Sequence, residues 1–121
     1  MNQNLTIATY NLQLSINPDK IIDNCRQMAK DGTSVFCFQE VVRYKDSPFI
    51  IESIQAALGK TWEYVFHLDN KTGVNGVGTA IVWNKKILQL IDVTKLTLPS
   101  GRAFQLHEKV FTILAGGTPH V

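Results

Sequence analysis

Val35-Phe36-Cys37-Phe38 runs directly into Gln39-Glu40, and the reading of this stretch decides the fold. Four consecutive apolar residues have neither the alternation of a half-buried strand nor the spacing of an amphipathic helix. A short continuous run of this kind suits a strand buried on both faces, as in an α/β sheet. Upstream, residues 5–11 (Leu5-Thr6-Ile7-Ala8-Thr9-Tyr10-Asn11) are rich in β-formers and read as another strand. Between the two lies a helix. Asn17 is its N-cap, Pro18 its first helical position and Asp19 an acid in its first turn. Ile21, Ile22, Cys25, Met28 and Ala29 form its apolar stripe, and Gly32 ends it.

Strand, helix, strand at this spacing is a βαβ unit, so the two strands should be parallel and joined by a right-handed crossover. As direct neighbours they would bring their carboxyl ends to within roughly 5 Å. Asn11 would close the first strand and Glu40 the second, at the sheet edge where α/β proteins commonly hold ligands. A carboxylate directly after a buried run must face a metal, a cation or solvent. Two readings of Glu40 therefore stand, ligand or first solvated residue. Asn11 is either its companion or an ordinary turn amide.

Further along, Ser47-Pro48 opens a second helix with the stripe Ile50, Ile51, Ile54, Ala57 and Leu58, and Gly59 ends it. Residues 62–67 read as a strand, 69–78 as a turn rich in Gly and Asn, and 79–83 as another strand. Residues 87–93 are expected to be the antiparallel partner of 79–83 across Asn84-Lys85-Lys86. Residues 110–115 form a weaker strand between glycines and prolines. The expected class is α/β, with a mixed sheet and helices on its outside.

Composition excludes little. The chain has 121 residues, 45% of them apolar and 18% charged, with a net charge of +2. That is enough for one domain with a core, and no charge signal for nucleic acid or an anionic membrane. The sequence has no secretory signal pattern and no apolar run near the roughly 20 residues that span a bilayer. Cytoplasmic residence is therefore expected. Cys25 and Cys37 are not in C-x-x-C spacing and read as reduced core thiols. Gly59-Lys60-Thr61 lacks the first glycine of a phosphate loop, and His107-Glu108 is followed at 111 by Phe111 rather than the second histidine of a zinc motif.

Taken in order, Leu5-Thr6-Ile7-Ala8-Thr9-Tyr10-Asn11, then Val35-Phe36-Cys37-Phe38-Gln39-Glu40-Val41, then Asn75-Gly76-Val77-Gly78-Thr79-Ala80-Ile81-Val82 resembles the first half of the endonuclease/exonuclease/phosphatase superfamily. The resemblance covers residues 5 to about 93. It implies the N-terminal half of a two-sheet α/β sandwich of the deoxyribonuclease I type, with one active site at the sheet edges. It further implies hydrolysis of a phosphodiester or phosphomonoester by in-line attack of water. The position matching Glu40 would bind Mg²⁺, or Mn²⁺ in its place, with the position matching Asn11 beside it. Gln39 would at most steady its neighbours, since alternation points it away from the face of Glu40.

The family pattern also calls for an Asp-x-Asn, an Asn-x-His and an Asp-His, and neither Asp-x-Asn nor Asp-His occurs here. His120, in Thr118-Pro119-His120, is the candidate for the mid-chain catalytic histidine, although Gly116-Gly117 and Pro119 read as a loop. Residues 1–121 are therefore expected to be one partial domain, truncated at its C-terminus and inactive alone. Its substrate would be a phosphoester, nucleic acid among the choices. Arg43, Lys45, Lys85 and Lys86 are either phosphate contacts or solvated surface charge. The alternative function is a small non-catalytic α/β binding or scaffolding domain.

Overall fold

The computed structural model describes residues 5–68, 76–98, 104–113 and 119–120, with side chains described for 5–68 and 76–93. The first strand, β1 (Thr6–Asn11), leads through a tight turn at Gln13–Ser15 into α1 (Pro18–Lys30). Then follow β2 (Thr33–Arg43), α2 (Ile50–Leu58), β3 (Trp62–Leu68), β4 (Gly76–Asn84) and β5 (Leu88–Leu98), with β6 (Phe104–Ile113) and β7 (Pro119–His120) last. Asn17 caps α1 as expected, its side-chain oxygen accepting from the Lys20 amide at 3.4 Å. The second helix begins later than Ser47-Pro48 suggests: Phe49 is its N-cap, in an extended conformation. Pro48 restricts the residue before it and stands ahead of the helix rather than inside its first turn.

Two sheets form. The larger has the order β1-β2-β4-β3 and the smaller β5-β6-β7. β1 and β2 run parallel, with Asn11 opposite Gln39, so the βαβ reading holds. β4 then runs antiparallel to both β2 and β3, which makes the sheet mixed.

The expected hairpin between 79–83 and 87–93 does not form. β4 already carries β2 on one edge and β3 on the other, leaving no edge for β5. The chain instead turns at Asn84, where the Ile87 amide bonds back to the Asn84 carbonyl at 3.1 Å and the Lys86 amide to Asn84 Oδ1 at 3.1 Å. It crosses into the second sheet, and β5 pairs with β6. β6 spans Phe104–Ile113 rather than 110–115, whose last residues lie outside the described set, as do 69–75 of the expected turn.

The burial pattern shows why these layers stack. Phe36, Phe38, Ala80 and Val82 point to one face of the larger sheet and pack with Ile21 and Cys25 of α1 and Ile50, Ile51 and Ile54 of α2. Phe36 and Phe38 stack at 5.5 Å between ring centres. On the opposite face, Val35 and Trp83 bury against Leu88, with Leu90 packed alongside, so the second sheet covers that end. At the β1 edge the same face is open, and Ile7 is 56% exposed. No helix among the described residues is long and apolar enough to cross a membrane.

Cys25 and Cys37 form no disulfide in the described structure. Burial beneath α1 pushes the Cys25 thiol from its ordinary 9.0 up to about 12. The native thiol therefore stays protonated, and stability that is intact below pH 9.0 declines as pH climbs towards about 12. Iodoacetamide at pH 8 should leave Cys25 unmodified in the native chain and label it readily in urea. Labelling at equal rates in both states would contradict the packing.

Gly78 is a second point of tight approach. A Cβ there would collide with the carbonyl oxygen of His67 on the neighbouring strand. Gly78→Ala should lower unfolding free energy by about 2–3 kcal/mol in a urea titration, although it is a one-carbon change.

Candidate functional site

Glu40 does not close β2. The strand continues to Arg43, and Glu40 lies within it at φ 53°, in the left-handed region. The pairing with β4 shows why. Phe38 opposes Ala80 and Val41 opposes Gly78, so Gln39 and Glu40 together face the single residue Thr79. This is a β-bulge. Strict alternation after Phe36 and Phe38 would place Glu40 next on the helix-covered face, where a carboxylate would be buried without a partner. The extra residue shifts the count by one. Val41, 0% exposed, takes the core position, and Glu40 emerges into solvent.

The argument that alternation turns Gln39 away from the face of Glu40 fails at this same point. The bulge breaks the alternation, and the Gln39 amide instead donates to the Cys37 carbonyl of its own strand at 2.9 Å.

Asn11 ends β1 one strand away and is also exposed. Its Oδ1 accepts from the Gln13 amide at 2.8 Å. Because a backbone N–H must find an oxygen, this contact fixes the amide orientation and leaves Nδ2 as an outward donor. Leu12, almost fully buried, donates its amide to the Gln39 carbonyl at 2.9 Å. The turn after β1 is thereby tied to the bulge in β2.

That turn is unusual in itself. Gln13, Leu14 and Ser15 all have positive φ, at 50°, 59° and 61°. With Glu40 they are the four non-glycine residues of this kind among the described residues, three just after β1 and one within the C-terminal half of β2. Each costs roughly 1–2 kcal/mol, so strain on the order of 4–8 kcal/mol is concentrated in the turn after β1 and the bulge in β2. Such strain persists only where surrounding contacts dictate it. Here the buried Leu12, the Ser15 amide bonded to the Leu12 carbonyl at 2.8 Å and the Asn11 contact supply them. No residue type in Gln13-Leu14-Ser15 announces a left-handed turn, and sequence reasoning passes over it.

Beside Asn11 lies a cleft of about 600 Å³ that Tyr10, Gln13, Lys20 and Asn24 also line. Asn24 Nδ2 donates to the Tyr10 hydroxyl at 2.8 Å. A second, smaller hollow of about 300 Å³ lies between the turn and the loop after β2. Arg43, at the end of β2, rests its guanidinium 5.0 Å from the centre of the Phe49 ring. Lys85 pairs with Glu63 at 3.6 Å, with both side chains about half exposed. His120 lies in β7, opposite Phe111, and so in a strand rather than the expected loop. It belongs to the smaller sheet, whereas Asn11 and Glu40 belong to the larger. Among the described residues, no group of three or more His, Cys, Asp or Glu side chains gathers as a metal cluster.

No family model matches the chain, and no curated protein shows significant sequence similarity to it. Solved structures do match in shape. An endonuclease/exonuclease/phosphatase family protein from Leptotrichia buccalis superposes with a TM-score of 0.70 at 15% identity, over 96% of this chain and 53% of its own. A mannosyl-6-phosphatase from Bacteroides thetaiotaomicron gives 0.72 at 13% identity, over 96% and 49%. The human nocturnin catalytic domain, solved with a bound sulfate anion, gives 0.59 at 14% identity, over 83% and 38%. The fold is the endonuclease/exonuclease/phosphatase fold, and the chain spans about half the length of the first two structures.

The strained turn can be tested separately from any activity. Asn tolerates the left-handed region and β-branched residues do not. Leu14→Asn should therefore keep unfolding free energy within about 0.5 kcal/mol of the parent, while Leu14→Val should lose about 1 kcal/mol or more. The reverse order in denaturant melts would show that the turn is not left-handed in solution.

Proposed function

We propose that this chain is the N-terminal portion of a metal-dependent phosphoesterase that cleaves a phosphodiester or phosphomonoester by in-line attack of water. The observation that carries the reading is the bulge that lifts Glu40 into solvent beside Asn11. The bulge keeps a carboxylate in solvent inside a strand whose alternation would otherwise bury it, one residue past Gln39, the partner of Asn11.

The donor chemistry fits Mg²⁺, with Mn²⁺ as a substitute. Both ligands offered are hard oxygens, and Mg²⁺ typically takes one or two protein carboxylates while keeping several waters. Glu40 would hold the ion directly. Asn11 would contribute the remaining lone pair of Oδ1, or use its outward Nδ2 to donate to a phosphoryl oxygen. A bound ion supplies charge neutralisation on the phosphoryl group and on the departing oxygen. Glu40 is open to solvent and to an arriving ion, and the amide of Asn11, held by the Gln13 N–H, would orient the phosphoryl group without reorganising.

The water-orienting Asp-x-Asn and the phosphate-stabilising Asp-His are absent from these 121 residues, so a further segment would supply them and this chain alone would be inactive. His120, on the smaller sheet, is the proposed mid-chain histidine. Cytoplasmic residence is the reading that accompanies this function. The substrate is a phosphoester, and nucleic acid is one class within it.

The second reading is a non-catalytic α/β binding or scaffolding domain, in which Asn11 and Glu40, both exposed, are solvated surface residues. Metal titration separates the two. In a protein carrying this chain with its continuation, Mg²⁺ should raise the melting temperature and support hydrolysis of bis(p-nitrophenyl) phosphate. Glu40→Gln should lower Mg²⁺ affinity by more than the roughly 10–100-fold typical of losing an outer-shell partner, with the metal-free melting temperature unchanged. A Glu40→Gln protein that still turns over with Mg²⁺ would remove Glu40 from the site. A protein with no Mg²⁺ response would leave the binding-domain reading.

A further inference from the structure

The turn at Gln13–Ser15 reverses hand inside a stretch that is otherwise right-handed. Leu12 before it has φ −82° and ψ 0°, and Ile16 after it φ −68° and ψ −21°. Gln13, Leu14 and Ser15 between them stand at φ 50°, 59° and 61°. Left-handed backbone is disfavoured for residues that carry a Cβ, and a run of three is rarer than a single one. Side-chain packing does not explain the choice. Leu14 is 52% exposed and Ile16 78%, and Gln13 is exposed too. Hollows border the turn on both sides, one lined by Gln13 and Ile16, the other by Leu14 and Ser15. The Ser15 hydroxyl is buried without a hydrogen-bond partner, so the left-handed form also leaves a polar group unsatisfied.

Two hydrogen bonds close the turn, and they differ in what they require. The Ser15 amide donates to the Leu12 carbonyl at 2.8 Å. A bond between residues three apart closes a turn of either hand, since the common turn types occur as mirror images. The Gln13 amide donates to Asn11 Oδ1 at 2.8 Å, and this contact holds the peptide between Leu12 and Gln13. That peptide is the one that must rotate if the turn is to change hand, because both ends of the segment are anchored. Leu12 is tied to the Gln39 carbonyl, and Pro18 already belongs to α1.

We infer that the turn after β1 is a two-state element, latched in its left-handed form by the side chain of Asn11. Its other form is a right-handed turn closed by the same Ser15–Leu12 bond, free of backbone strain and with the Ser15 side chain re-aimed. The hollows leave room for the exposed side chains to follow. The hand of the turn then selects between the two roles open to Asn11. Latched, Asn11 presents Nδ2 outward as a donor; released, it offers both lone pairs of Oδ1 as a ligand. A cation that draws on Oδ1 competes with the Gln13 N–H for the same oxygen, so its binding shifts the turn towards the released form. That the partners are a phosphoryl group and an ion rests on the function proposed above; the latch does not.

The test needs neither metal nor phosphoester, so it can fail while the hydrolase reading stands, and the reverse. In the 121-residue chain, relaxation dispersion on the amides of residues 13–16 should report exchange on the microsecond-to-millisecond scale. The minor state should amount to roughly 0.1–10%, and the amides of residues 21–28 in α1 should show no such exchange. Asn11→Ala should turn φ negative at Gln13, Leu14 and Ser15, read from one-bond Cα–Hα couplings. Asn11→Asp, which keeps an oxygen on the Gln13 N–H, should leave φ positive. The Leu12 amide should stay protected from hydrogen exchange in both, since β1 still docks on β2. Leu14→Asn should lower the minor population about fivefold or more, because Asn tolerates left-handed backbone. Flat dispersion across the turn, loss of Leu12 protection in Asn11→Ala, or the same sign of φ in Asn11→Ala and Asn11→Asp would overturn the proposal.

Discussion

The arrangement of the site depends on one extra residue in β2. Phe36 and Phe38 commit alternate positions of that strand to the core under α1 and α2, and the next position in step is Glu40. The bulge opposite Thr79 resolves the conflict by handing the core position to Val41. What it costs in left-handed backbone at Glu40 is offset by not burying an unpartnered carboxylate, which would cost several kcal/mol. The same irregularity breaks the pleat where β1 ends, and this is where Asn11 and the Leu12 amide dock onto Gln39.

Strain is distributed accordingly. The helices, and the strands away from the bulge, have ordinary backbone, and the left-handed residues gather at the carboxyl edge. That edge is also where two clefts open, one beside Asn11 and one between the left-handed turn and the loop after β2. A rigid core therefore supports an edge made of two βα connections. The strained turn is braced by Leu12 beneath it, the most completely buried residue of the first connection.

The second sheet has a different role. β5 leaves the larger sheet because both edges of β4 are occupied, and Leu88 then buries against Val35 and Trp83 on the face opposite the helices. This gives the larger sheet two covered faces at one end and one covered face at the β1 edge. The continuous apolar run of residues 35–38 is explained by that double coverage, since Phe36 and Phe38 serve one layer while Val35 and Cys37 serve the other.

Local physics was enough to read much of the chain. The βαβ order, the Asn17 cap and the stop at Gly59 depend on neighbours within a few residues, the parallel sense of β1 and β2 follows from the crossover rule, and the structure makes the two strands direct neighbours. Three features were not legible, for a common reason. The bulge at Glu40 depends on β4, more than thirty residues away, and no glycine marks the left-handed position. The left-handed turn at Gln13–Ser15 depends on Leu12 docking under β2. The departure of β5 depends on β3 having already taken the edge of β4. Sequence by itself determined the order of strands and helices as far as β4 and marked Asn11 and Glu40 as candidate residues. Tertiary structure alone decided where the polar groups emerge, because that is settled by long-range competition for core positions and sheet edges.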